Sequence, residues 1–133
     1  MTGPQQRTPP LDLFRRGDSY HGVLEMPGVP AGCISVHVSG HEVTVTADRK
    51  DATSQADEVL VEEREHGGFQ RRFRLPDDCD PSTATADSTD GLLHVAASCV
   101  KRGHAMEDVD LDIQVDSGGT HLAPAEDRVA RLR

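Results

Sequence analysis

The sequence predicts an all-β protein, an antiparallel β-sandwich, and three observations predict it. Apolar and polar residues alternate at a period of two through the middle of the chain. Turn signals recur roughly every ten residues between the alternating runs. Helix-period stripes are missing before the extreme C-terminus. The chain has 133 residues, 35% hydrophobic and 28% charged, which suits one domain with a modest core plus polar tails.

The elements follow in order. Residues 20–26 form a strand ended by Pro27-Gly28, where Pro presets φ and Gly tolerates a positive φ. In 34–38, Ile34, Val36 and Val38 share one face and Ser35 and His37 the other. After a connection containing Gly40, Val43, Val45 and Ala47 point inward from 42–47, and the two strands make a hairpin. Residues 48–58 are polar and aperiodic and read as an exposed loop. A short strand is predicted over 59–64, then one over 69–75, opened by Gly67-Gly68 and stopped by Pro76. Strands over 83–86 and over 92–97, the latter after an Asp90-Gly91 turn, complete a domain spanning 10–102. Residues 1–9 form a short arm before it, and 103–133 form an extension after it. The extension holds a polar linker at 103–108, an alternating run at 109–115, a joint at 117–120 and a short, weak helix at 125–133.

Composition narrows the function. Asp and Glu number 23 against 14 Lys and Arg, a net charge of −9 that opposes attraction to phosphate backbones and anionic lipid. Aromatic content is 3%, too low for a base-stacking platform. The sequence has neither an apolar run of about 20 residues nor a signal-peptide pattern, so no nucleic-acid or membrane partner is expected and a cytoplasmic location is. Cys33, Cys79 and Cys99 lack a Cys-x-x-Cys pair and are odd in number. They read as packing residues in a reducing compartment, with the acidic neighbours of Cys79 raising its pKa.

Catalytic patterns are not written here. The sequence lacks a Gly-x-Ser-x-Gly elbow and a Gly-rich phosphate loop before a helix. His37 and His41 have a spacing that aligns metal ligands on a helix, but a strand end and a turn intervene, so they read as surface imidazoles. The expectation is a non-enzyme with no cofactor and no metal site.

Two positions break the pattern. Arg71 shares a strand face with Phe69, Phe73 and Leu75, where alternation calls for apolar contact. Either its head reaches water at the sheet margin, or the face is a subunit interface where Arg71 pairs with a carboxylate. The second is the apolar row Val109, Leu111, Ile113 and Val115 behind the linker. It has the form of a β-augmentation ligand; the alternative, a last strand of the same sandwich, is less favoured by the polar linker.

Taken together, Pro10 to Phe14, Asp18-Ser-Tyr20, Met26-Pro-Gly-Val29, Phe69 to Pro76, Asp80-Pro81 and Asp90-Gly-Leu-Leu-His-Val95, with a G-x-L element at Gly91 to Leu93, resemble the bacterial branch of the small heat-shock proteins and their alpha-crystallin domain. The resemblance implies an immunoglobulin-like antiparallel β-sandwich with flexible N- and C-terminal tails. It implies an ATP-independent holdase that binds partly unfolded client proteins and prevents their aggregation. It further implies a homodimer built by exchange of the 59–64 strand, with Val59, Leu60, Val61, Arg64, Phe69 and Arg71 at the interface, and possible growth into a small homo-oligomer. Ile113-Gln-Val115, or Leu111-Asp-Ile113 in the other register, resembles the I-x-I/V docking motif. The matching edge groove is lined by Ile34, Val36, Val38, Ala84 and Ala86. Two departures stand out: small alanines in the groove and a short arm without aromatics. They leave a client-specific adaptor, similar to CS-type co-chaperones, as the alternative function.

Overall fold

The structure is a computed structural model describing residues 8–64, 66–101 and 109–117. Alternation resolves into two sheets. Strands β1 (Leu11–Arg16), β2 (Ser19–Glu25), β6 (Thr85–Thr89), β7 (Leu92–Ser98) and β9 (Val115–Ser117) form one, in the order β1-β2-β7-β6-β9. Strands β3 (Ile34–Ser39), β4 (Glu42–Arg49), β5 (Gly67–Arg74) and β8 (Asp110–Ile113) form the other, in the order β5-β4-β3-β8. All pairs are antiparallel except β6 with β9. The result is the expected immunoglobulin-like sandwich.

The core lies between the sheets and is mainly aliphatic. Val36 and Val38 of β3, Val43 and Val45 of β4, and Leu24, Leu93 and Val95 of the facing sheet are fully buried. Phe69 and Phe73 supply the rings from β5. A side chain at Gly22 would lie 3.2 Å from the Phe73 ring, so glycine there lets a small core hold a large ring. The Asp90-Gly91 turn has φ of 56° and 78°, the two positive values of a type I′ hairpin, which sets the β6–β7 register.

One strand adds to those expected, and two expectations need correction. Leu11–Arg16 is a strand although its sequence does not alternate cleanly; pairing with β2 along its whole length organises it. The strand predicted at 83–86 lies later, at Thr85–Thr89. A 3₁₀ turn at Pro81–Thr83, capped by the Asp80 carboxylate on the Ser82 amide, occupies its beginning. The strand predicted at 59–64 is not formed, because no neighbour among the described residues pairs with its backbone. Linker residues 103–108 and the helix expected at 125–133 lie outside the described residues, as do most of the 1–9 arm and residue 102 at the expected domain end.

Candidate functional site

The four-stranded sheet and the five-stranded sheet each have an edge beside the chain's last described segment. On the first, β3 exposes one side of its backbone because β4 uses only the other. On the second, β6 is in the same position, paired to β7 alone. The alternation of residues 109–117 lets it close both edges. β8 adds to β3 with Leu111 opposite Val38 and Ile113 opposite Val36. The chain then steps across at Gln114, and β9 adds to β6 with Val115 opposite Ala86. The apolar row disfavoured as part of this sandwich thus pairs with it, because a bare edge is costly and its hydrogen-bonding groups lie within reach.

Side chains follow the backbone. Ile113 and Val115 are half-buried and pack on the core, one against each sheet, with Val109. Leu111 stays 38% exposed. Of the two registers of the tail motif, the Ile113/Val115 pair spans the mouth of the sandwich here. Ile34, Val36, Val38 and Ala86 are buried beneath, while Ala84 precedes β6 and is only half-buried.

Charge reinforces the docking. His37, on the outer face of β3, lies 2.7 Å from Asp112 through Nδ1 and 2.7 Å from Asp110 through Nε2. Carboxylates accept only, so both ring nitrogens act as donors when both contacts are made, and the ring is then an imidazolium. The hydrogen bond to Asp112 and that to Asp110 raise the His37 pKa above its ordinary value of 6.5. His41 turns elsewhere, onto the Cys79 carbonyl at 3.0 Å, so the two histidines of the H-x-x-x-H spacing do not converge.

The 59–64 segment is the opposite case. Leu60 is 83% exposed and Val61 74%, with Val59 and Arg64 also exposed. Its foot is tied down: Thr53 Oγ1 lies 2.6 Å from both Asp51 and Glu62, and His66 Nε2 stands 3.7 Å from Glu62 and 3.9 Å from Asp51. Thr53 holds the Asp51 carboxyl below its usual range. Asp51, Glu62 and His66 have the donor types for a divalent cation. The Thr53 hydroxyl and the imidazole between two acids account for their convergence without one.

Arg71 sits half-buried on the inward face of β5, its guanidinium 3.5 Å from the Pro9 carbonyl. Phe69, beside it, belongs to the core and lies beneath Arg49 at 5.0 Å. Sequence reasoning missed a buried polar chain on the outer side of the five-stranded sheet. His21 Nδ1 is 2.8 Å from His94 Nε2, and His94 Nδ1 is 3.4 Å from Asp87. Phe14 stacks on His21 with ring centroids 5.3 Å apart. The available signal was the outward phase of positions 21, 87 and 94, which becomes visible only once strand pairing is known.

The fold is a two-sheet β-sandwich that seats a tail strand across both sheet edges and, among the described residues, leaves the 59–64 arm without a strand partner. The chain belongs to the Hsp20/alpha crystallin family, whose profile matches residues 12–116. This is a family of non-enzymatic chaperones. Among related sequences, the 17.7 kDa class II heat shock protein of Arabidopsis thaliana is 30% identical over 89 residues, covering 65% of this chain and 57% of that protein. The 18 kDa antigen 2 of Mycobacterium avium is 34% identical over 86 residues, covering 65% of this chain and 62% of that protein. In both, the match spans less than two thirds of the relative. Among solved structures, a small heat-shock protein from Xylella fastidiosa superposes with a TM-score of 0.67 at 25% identity, covering 77% of this chain and 95% of that one. No helix among the described residues is long and apolar enough to cross a membrane.

Proposed function

We propose that this protein is an ATP-independent holdase of the cytoplasm, which captures partly unfolded proteins on its sheet edges and returns them without turnover. The observation that carries the reading is the tail. Ile113 and Val115 plug the mouth between the sheets but remain half-buried, so the plug is removable and the strip of Ile34, Val36, Val38 and Ala86 beneath it is what a client's extended apolar segment would meet. Docking is intramolecular in the single chain; exchange of the same segment onto a neighbour would link subunits.

The 59–64 arm supplies the second surface. Its apolar Val59, Leu60 and Val61 lie in water without a strand partner among the described residues, which supports a homodimer in which each arm adds to an open edge of the partner, β1 and β5 being the edges on the side of each sheet away from the tail. On this reading Arg71, Phe69 and Arg64 belong to the junction, where Arg71 would exchange its long contact with the Pro9 carbonyl for a partner's carboxylate. The net charge of −9 keeps loaded complexes apart and disfavours acidic clients.

The test is light scattering from a heat-denaturing client with and without equimolar protein. Suppression for several unrelated clients is expected; no suppression at any ratio overturns the holdase. The small Ala84 and Ala86 also suit a narrower role as an adaptor for one partner. A single stoichiometric complex, with no protection of other clients, would establish that instead.

A further inference from the structure

We propose that Cys79 and Cys99 are the site of a reversible intramolecular disulfide that braces the end of the sandwich beside the β1–β2 and β3–β4 turns. The two residues are twenty positions apart in sequence and carry no motif, yet they face each other across an isolated antiparallel bridge. The hydrogen bonds around them fix the kind of pairing. The Asp80 amide donates to the Ser98 carbonyl at 2.8 Å and the Val100 amide to the Asp78 carbonyl at 2.7 Å, while the Cys79 and Cys99 amides bond elsewhere, to Pro76 and Asp18.

Cys79 and Cys99 are therefore a non-hydrogen-bonded pair. Such pairs bring Cα atoms to about 4.5 Å, with side chains close and on one face. Disulfides span Cα separations of about 4.4–6.8 Å, so closure needs no rearrangement of the backbone. The shared face is the inner one, where Cys79 is fully buried and Cys99 half-buried. Cys33 lies apart, at the end of the 3₁₀ turn leading into β3.

Accessibility orders the chemistry. With a low-molecular-weight disulfide as oxidant, the Cys99 thiolate attacks one sulfur, forms a mixed disulfide and releases one thiolate. The Cys79 thiolate then attacks the Cys99 sulfur, closing the protein disulfide and releasing the second. Two cysteine thiols are oxidised, the reagent is reduced to two thiols, and the two cysteine protons pass to the released thiolates. Burial, followed by the nearby Cys99, pushes the Cys79 thiol up to about 12. Closure should accordingly quicken as pH rises through the neutral range, as the Cys79 thiolate fraction grows. The crosslink ties the β5–β6 connection, which leads into the strand that seats β9, to the end of β7.

The experiment uses the full chain incubated with oxidised glutathione, quenched by alkylation and cut with trypsin. Arg74 and Lys101 bound a peptide that holds Cys79 and Cys99 but not Cys33. The expected product is that peptide lighter by two hydrogens and unalkylated, in chains that unfold on the order of 10 °C higher until dithiothreitol is added. Cys99→Ser, at the half-exposed position, should lose both the mass change and the shift, and Cys33→Ser should keep both. Glutathione adducts alone, or a doubly alkylated peptide after prolonged oxidation at pH 8.5, would overturn the proposal.

Discussion

At His37 two carboxylates 2.7 Å away demand two protons of one ring. The consequence has a definite sign. Its pKa is raised in the docked state, so the contribution to docking is fully present below 6.5 and is lost as pH rises through the higher value. In proton NMR, His37 should titrate above 6.5, with the amides of 110–113 following the same curve; titration at or below 6.5 would remove the latch from the account. His94 makes a different demand, because it satisfies His21 on one side and approaches Asp87 on the other inside a buried layer. His94→Ala removes the bridge and leaves a cavity, which should lower stability by about 2–4 kcal/mol in urea unfolding. A change under 1 kcal/mol would mean that the chain is not structural. Neither histidine's role could be read in the sequence: alternation places a residue on a face, whereas its partners come from strands 73 and 75 residues away.

At the scale of elements, the strands with clean alternation were legible, as β3 and β4 were from Ile34, Val36, Val38, Val43 and Val45. Arrangement was not. The 59–64 run has strand-forming residues but no strand, since backbone hydrogen bonds need a neighbour that the described residues do not supply. The 109–115 run was read as one strand and is two, broken at Gln114 where the segment crosses from one sheet to the other. That crossing predicts unequal effects along the tail. Ile113→Ala removes a half-buried side chain from the mouth and should weaken docking by about 1 kcal/mol, seen as roughly fivefold faster amide exchange in 110–117. Leu111→Ala, at the more exposed position, should change exchange by less than twofold. Equal effects would place the docked register elsewhere.

For the whole molecule, the proposed function gives the two apolar elements separable duties, the arm for joining subunits and the tail for covering the groove. Leu60→Asp places a charge on a side chain already in water in the single chain, so the fold should keep its melting temperature while the mass by light scattering falls from dimer to monomer. A dimer of unchanged stability would remove the arm from the interface. The groove is tested by opening it. Ile113→Asp with Val115→Asp should unseat the tail while leaving the fully buried core residues in place, and scattering from a heat-denaturing client then measures what lies beneath. The account predicts that the full chain suppresses aggregation and that the opened variant does so at a lower molar ratio. An opened variant that protects no better than a chain carrying the same two added charges at exposed positions, Leu111→Asp with Ser117→Asp, or no protection by any of them, would contradict capture at the sheet edges.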